Sequence, residues 1–330
     1  MSLRNKHAAS ADAMFPSDHK AAAAMSMPAP SSFFTKLGQV VAASAMGLFF
    51  GWAMEKGKVT EPMVIRDQMG MTRFTMMKMF LSAVVAARVV LERMLAQAKA
   101  ARTTAIHVVR GTINHTRSGD EVVFVDEKLG SSYAKVAVGF SIMLATMIGL
   151  LEYLLPWTSE VPRDFARPVG DYLAWHAWSP IVSGAIVGSM QIPAILFIGD
   201  TLGSSTSYMT LCAQTSGLPF IKQTCGHLCK FKSGMGNWWQ VFYIAMAALA
   251  ASVSARMGAT EGAVIPGAAP GAAVFGGILM LVGSRLAGGC TSGHGLSGMG
   301  LMCINSFVAV AAMFGGGMVA QQILVATHLG

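Results

Sequence analysis

Charged residues are spaced along this chain so that long stretches contain none of them. Asp, Glu, Lys and Arg make up 12% of the residues, about half the share usual in globular proteins, while 53% are apolar. A helix needs about 20 mainly apolar residues to cross the hydrocarbon core of a bilayer. The stretches that approach or reach this length without a charged residue are Leu37–Met54, Val136–Leu151, Tyr172–Gly199, Thr201–Ile221, Ser233–Ala255, Gly262–Ser284 and Leu286–Gly330. This spacing predicts an all-α polytopic membrane protein and disfavours a large soluble protein with buried helices.

The composition divides the chain into a tail and two membrane halves. Residues 1–35 are rich in Ala, Ser, Met and Pro, lack an apolar run of signal-peptide length, and are predicted to be a disordered tail. Residues 36–157 are the predicted N-terminal membrane half, with a polar insert at about 99–132. Residues 158–330 are the predicted C-terminal half. An amphipathic helix is expected from about Phe74 to Ala98, ahead of the insert.

The two halves show weak internal similarity at a constant offset of 137 residues. The positions that match are Gly47 with Gly184, Gly51 with Gly188, Gly139 with Gly276, and Met143-Leu144 with Met280-Leu281. An internal duplication and coincidence in a glycine-rich chain both account for these matches. Many transporters consist of inverted repeats whose substrate site lies at the membrane midplane, in helices broken by Gly or Pro. The expected architecture is an inverted repeat with re-entrant broken helices.

One long stretch of the C-terminal half is expected to break. Tyr172–Gly199 exceeds the length of one straight span and contains Pro180 and Pro193. It runs into Asp200 and the small polar string Gly203–Ser207. Two interpretations of Asp200 stand: a carboxylate at membrane depth, where an unpaired charge is costly, or a residue of an interfacial loop.

The segment with the clearest chemical character lies between Ser284 and Gly298. It is too rich in glycine for a stable spanning helix, yet it lies inside the longest uncharged part of the chain. Non-helical backbone at membrane depth is tolerated where protein buries it or where it lines a polar cavity. A re-entrant loop there would expose backbone N–H groups that suit an anion, next to a soft thiol. The predicted substrate pathway comprises Cys290, Thr291, Ser292, Gly293, His294 and Arg285, together with Gly203, Ser204, Ser205 and Asp200.

A glycine hinge between two packed helices is the alternative interpretation of this segment. A hinge accounts for the glycines but not for the neighbouring Arg, Cys, Thr, Ser and His side chains. Cys212 and Cys303 lie in apolar stretches and are candidates for additional thiols of the pathway, although a buried cysteine is commonly a small apolar side chain of the core. Cys225 and Cys229, with a His between them, suggest a metal site less than a disulfide or free thiols.

Three blocks of the sequence carry a family resemblance. They are Gly288-Gly289-Cys290-Thr291-Ser292-Gly293-His294-Gly295-Leu296-Ser297-Gly298, Glu55-Lys56-Gly57-Lys58-Val59-Thr60-Glu61-Pro62 with Val64-Ile65-Arg66, and Gly199–Ser207. In these blocks the chain resembles the YeeE/YedE family of sulfur transporters. The resemblance implies an integral membrane transporter of thiosulfate or a related anion, with two inverted halves and short re-entrant helices. It also implies that cysteines pass the substrate inward through transient hydrogen bonds; Cys290 carries over, while the N-terminal half has no cysteine.

Three functions are compatible with these residues. The first is uptake of a small sulfur anion, most simply thiosulfate, through a central pore. The second is a membrane sulfur-transfer enzyme in which Cys290 forms a persulfide with His294 as base, and the third is a non-transporting subunit of a membrane complex. Transport without enzymatic activity is the expected function, in the cell (plasma or inner) membrane where the bacterial members of the family lie.

The expected partners follow from the same reasoning. They are the lipid bilayer, the sulfur anion and a soluble sulfur carrier or sulfurtransferase. The net charge of +8 belongs to the tail and to loops that flank spans, a distribution typical of membrane proteins, so no nucleic acid is expected. No cofactor and no metal is expected either.

Overall fold

A computed structural model describes residues 33–100, 123–160, 175, 177–215, 231–258 and 269–327. In this part of the chain the structure is helical, with no strand beyond a single bridge between Phe124 and Cys303. The helices are α1 (Phe33–Lys56), α2 (Pro62–Met69), α3 (Thr75–Ala100), α4 (Val125–Lys128), α5 (Tyr133–Leu154), α6 (Trp157–Glu160), α7 (Pro180–Ser189), α8 (Gln191–Pro193), α9 (Ser205–Gln214), α10 (Met235–Gly258), α11 (Pro270–Leu286) and α12 (Ile304–Ala326). Two short π-helices lie among them, π1 (Ala194–Ile198) and π2 (Ser292–Gly298).

Five of these units are long and apolar enough to cross a membrane. They are α1, α5, the continuous α7–α8–π1 unit, α10 and α12, and each coincides with an uncharged stretch of the sequence. Helix α11 is also apolar but has only 17 residues. The prediction of an all-α polytopic membrane protein is therefore confirmed.

Some expectations fall outside the described residues, and others are altered by the structure. The structure does not describe residues 1–32 of the predicted tail, residues 101–122 of the insert, Cys225 or Cys229. Helix α1 begins at Phe33, so the end of the predicted tail is helical. The uncharged stretch after Thr201 is not a spanning helix in its described part, because α9 has 10 residues and is too short to cross. The division of the chain into two halves stays a prediction.

Helices α1 and α10 pack so closely that two glycines of α1 touch the backbone of α10. A Cβ atom at Gly47 would collide with the carbonyl oxygen of Tyr243, and a Cβ atom at Gly51 with that of Ala247. Lipid is as apolar as a leucine side chain, so helices in membranes associate through close packing at small residues. The absence of side chains at these two glycines thus sets the distance between α1 and α10.

Helices α3 and α7 make a second contact of the same kind, with the glycines on α7. A Cβ atom at Gly184 would collide with the carbonyl oxygen of Met79, and a Cβ atom at Gly188 with that of Ala83. These two glycines are the positions that align with those of α1 at the offset of 137 residues. Paired contacts of this kind are what an inverted repeat would produce, and the repeat itself stays a prediction.

Helix α3 is more deeply buried than the expected amphipathic helix. Val84 and Ala87, near its middle, are each 0% exposed, and α3 contacts α5, α7 and π2. Lys78 near its start is also fully buried, and its Nζ lies 3.1 Å from a carboxylate oxygen of Glu152 and 3.0 Å from one of Glu160. A helix that carries charged residues can therefore occupy the interior because its partners supply the opposite charge.

The second buried cation of α3 is Arg88. Its guanidinium contacts the Glu92 carboxylate and donates a hydrogen bond to Ser141 Oγ on α5 at 2.6 Å. A buried cation left without such partners would strongly destabilise the fold. Arg88 thus ties α3 to α5 as Lys78 does.

Replacing Gly51 by alanine is expected to destabilise the protein by about 1–3 kcal/mol, because the new methyl group must push α1 away from α10. The same change at Gly139 is the matched control, since this glycine of α5 has open space around it. Alanine there is expected to be neutral or slightly stabilising, because it favours a helix more than glycine does. Thermal unfolding midpoints in detergent measure both effects, and equal midpoints for the two variants would contradict the packing argument.

Candidate functional site

Two short non-helical breaks lie close together among the described residues of the C-terminal half. The first break, residues 199–204, begins at Gly199, whose φ of +75° suits glycine. The second break, residues 287–290, contains Gly288 with a φ of +72°. A π-helix adjoins each break, and π-helical turns are frequent at functional sites. The interruption expected in the second segment is therefore present, whereas Pro180–Ile198 is one continuous unit and the first break follows it at Gly199.

Hydrogen bonds hold the two breaks against each other. Ser297 Oγ in π2 donates to the carbonyl oxygen of Leu202 in the first break at 2.7 Å. The N–H of Leu202 donates to Gln191 Oε1 at 3.3 Å. Both backbone groups of Leu202 thus find partners inside the protein, as buried non-helical backbone requires.

Cys290 lies where the two breaks meet. Its Sγ is 3.0 Å from Ser292 Oγ and 3.5 Å from Ser204 Oγ, and the two hydroxyl oxygens are 3.5 Å apart. The backbone N–H groups of Ser204 and Gly293 also lie near enough to the sulfur to favour its thiolate form. Hydroxyls and backbone amides that converge on one point form a site that favours negative charge.

A cavity of about 210 Å³ lies beside Cys290. This volume is well above the roughly 10–15 Å³ that a single water requires. Among the predicted pathway residues, those that line it are Asp200, Gly203, Ser205, Cys290 and Gly293. The structure therefore gathers residues from both breaks around one polar space.

The Cys290 thiol lies in the second break, outside the membrane-spanning helices, and its pKa is about 7, below its ordinary value. Burial raises the pKa, but the hydrogen bonds from Ser292, Ser204 and the Gly293 backbone lower it by more. Thiol and thiolate forms of Cys290 are therefore both populated near neutral pH.

His294 is buried against the second break and is not among the residues that line the cavity. The side chain is 2% exposed; its Nε2 lies 3.0 Å from the carbonyl oxygen of Ala287 and its Nδ1 lies 3.4 Å from Ser306 Oγ. Gly289 permits this position, because a Cβ atom there would come within 2.9 Å of the imidazole ring. His294 thus braces the break, which does not favour its predicted role as a base for a persulfide-forming cysteine.

Arg285 and Thr291 lie at the outer side of the site. Arg285 is exposed near the end of α11, and its guanidinium donates to the carbonyl oxygen of Ser205, which ties α11 to α9. The Thr291 side chain is exposed and is not among those that line the cavity. Neither residue contributes to the cavity wall.

The other described cysteines lie away from the cavity. Cys303 is fully buried among Leu91, Phe124 and Leu301, so it fills the core as the sequence reasoning allowed. Cys212 is exposed on α9 beside an open apolar groove. Within the described residues, Cys290 is therefore the thiol at the meeting of the breaks.

Two polar residues of α10 line the cavity but were not predicted from the sequence to belong to the site. Asn237 and Gln240 lie in the uncharged stretch Ser233–Ala255, which was interpreted only as a span. Gln240 is 5% exposed, and its Oε1 accepts no hydrogen bond from the described residues. A side-chain amide inside a span was an available signal, because polar groups within a membrane usually face the protein interior or a water-filled cavity.

Alkylation of Cys290 is expected to follow its thiolate fraction and to reach half its maximal rate near pH 7. The Ser292→Ala change removes a donor that favours the thiolate, so the pKa rises and the midpoint moves about one pH unit higher. Brief pulses of iodoacetamide, followed by mass spectrometry of the Cys290 peptide, measure the rate at each pH. Thr291→Ala is the matched control, and an equal displacement of the midpoint in that variant would contradict the assignment.

Comparison with known proteins places this geometry in a family. A family model described as sulphur transport matches residues 101–319, which is more than half of the chain and includes both breaks, the cavity and Cys290. No curated protein and no solved structure matches the chain. The chain therefore belongs to the YeeE/YedE family of sulphur-transport proteins, and it is an integral membrane protein with a role in sulfur transport.

Proposed function

We propose that this chain carries a small sulfur-containing anion, with thiosulfate the best candidate, across the membrane through the cavity beside Cys290. The observation that carries the proposal is the convergence of two serine hydroxyls on the Cys290 sulfur beside the cavity. Membership of a sulphur-transport family supports the class of substrate. The two breaks support the location, because they interrupt the apolar helices at this point.

An anion that enters the cavity must exchange its water shell for donors of the protein. The hydroxyls of Thr201, Ser205 and Thr206 line the cavity, and those of Ser204 and Ser292 flank Cys290. Hydrogen bonds to a charged acceptor are about twice as strong as those between neutral groups, so a few donors offset much of the lost hydration. These donors are neutral, so they bind an anion without holding it too tightly for release.

The thiol adds a preference for sulfur. Protonated Cys290 can donate its S–H to the terminal sulfur of thiosulfate, a soft acceptor that sulfate lacks. Because the pKa of Cys290 is about 7, the donating form predominates below neutral pH. The N-terminal half has no cysteine, so the proposal uses one thiol and no relay of equivalent thiols.

The glycine contacts support an inverted repeat as part of this proposal. Helix α1 contacts α10 through two glycines four residues apart, and α7 contacts α3 in the same way. Each contact joins a helix of the predicted N-terminal half to one of the predicted C-terminal half. Rocking of one repeat against the other around a central site is a common way for such transporters to alternate access.

The Cys290→Ala variant is expected to lose about tenfold or more of thiosulfate uptake, because a hydrogen bond to a charged substrate contributes about 1.5–3 kcal/mol. Uptake of labelled thiosulfate into vesicles containing the purified full-length protein measures this loss. Unlabelled sulfate is expected to compete more weakly than unlabelled thiosulfate, since it offers no soft sulfur to the thiol.

Cys212→Ala is the matched control for that experiment, because Cys212 is an exposed thiol on the outer side of α9. Its uptake is expected to equal that of the unchanged protein. Unchanged uptake in Cys290→Ala would show that the thiol takes no part in transport. Equal competition by sulfate and thiosulfate would contradict the preference for sulfur.

A further inference from the structure

The cavity beside Cys290 also contains a carboxylate. Asp200 lines it, and Asp200 Oδ1 accepts the N–H of the adjacent Thr201 at 2.7 Å. None of the described cations lies within ion-pair distance of this carboxylate. A site proposed for an anion therefore includes a group that is itself an anion when ionised.

The surroundings of Asp200 make its carboxyl group easier to protonate than an exposed one. Asp200 lies in the first break, outside the spanning helices, and burial raises its pKa above the ordinary value. The Thr201 N–H and the nearby Trp239 indole lower the pKa of Asp200, but by less than burial raises it. The indole N–H has no hydrogen-bond acceptor among the described residues. The other titratable or charged groups on the described elements around the cavity are Cys290, His294, Arg285, Tyr208, Tyr243, Lys232 and Arg256, with Lys36, Glu55 and Lys56 on α1.

Gln240 provides a second and independent observation. Its side chain is buried in the same cavity wall, and its Oε1 lacks a donor among the described residues. A buried acceptor without a donor is unfavourable, so a donor that enters the cavity would stabilise it. A protonated carboxyl group supplies one O–H donor, which an ionised carboxylate does not.

Charge accounting connects these observations. A dianion such as thiosulfate beside an ionised Asp200 would place three negative charges in one buried site. Arg285 does not line the cavity, and its guanidinium donates to the Ser205 carbonyl oxygen. Two like charges at a shared buried site do not both stay ionised. Protonation of Asp200 relieves the repulsion and leaves a neutral donor in the wall.

We infer that Asp200 takes up one proton for each sulfur anion bound in the cavity and releases it with the anion on the other side, which makes the chain a proton–anion symporter. This inference rests on the proposed function. The proton passes from water to a carboxylate oxygen of Asp200 and back to water, and no covalent bond in the anion changes. One proton with one dianion carries one net negative charge across the membrane.

The test uses vesicles that contain the full-length protein, with labelled thiosulfate outside and the membrane potential clamped at zero. With one proton per anion, a gradient of one pH unit, acidic outside, is expected to raise the equilibrium accumulation of label about tenfold. The Asp200→Asn variant is expected to exchange external label for internal unlabelled thiosulfate but to show no accumulation driven by the pH gradient. Asp200→Glu, which keeps a carboxyl group, is expected to retain that accumulation.

Asp67→Asn is the matched control, because Asp67 lies in α2 and pairs with Arg73 at 3.2 Å, away from the cavity. It is expected to accumulate label as the unchanged protein does. Gradient-driven accumulation that persists in Asp200→Asn overturns the inference. The inference is also overturned if the unchanged protein accumulates the same amount of label with and without the pH gradient. This second outcome does not depend on whether Asp200→Asn folds. Label entry no faster than in protein-free vesicles would instead overturn the proposed transport of thiosulfate.

Discussion

Direct contact between glycines and the backbone of neighbouring helices sets the frame in which the cavity forms. Helix α10 supplies Asn237 and Gln240 to the cavity wall, and its position depends on the two glycines of α1 that touch it. Helix α7 leads into the first break, and its position depends on its own two glycines against α3. A side chain at any of these glycines would separate a helix pair. The walls of the cavity would then shift relative to Cys290.

The two breaks in the helices also supply the polar groups around Cys290. An intact helix uses its backbone N–H groups internally and offers few to a ligand, whereas a break frees them. Here the freed groups of Ser204 and Gly293 turn toward one sulfur atom. Ser297 and Gln191 satisfy Leu202, whose backbone groups would otherwise be buried without partners. Structural bracing and ligand donors are therefore supplied by the same short segments.

Charge spacing allowed the five spans to be predicted and glycine content the second break, because these signals act locally. The role of Cys290 stays a prediction. The role of His294 depends on the orientation of its ring, which is set by packing against Gly289. Tertiary packing of this kind cannot be predicted from the local sequence. Gln240 was missed for a similar reason, since only the folded helix shows which face meets the cavity. The depth of α3 was also unpredictable, because the partners of Lys78 lie far along the chain.

That long-range pairing has a consequence for how the protein is assembled. Lys78 is buried against Glu152 and Glu160, which are synthesised more than 70 residues later. Until α5 and α6 have been made, Lys78 of α3 cannot pair with Glu152 or Glu160. Burying the Lys78 ammonium group without a carboxylate partner would cost free energy. Helix α3 therefore reaches its final depth only once α5 is present. Biogenesis of the N-terminal half is accordingly cooperative, and a ribosome-bound chain that ends before Glu152 should hold α3 nearer to water than the finished protein does.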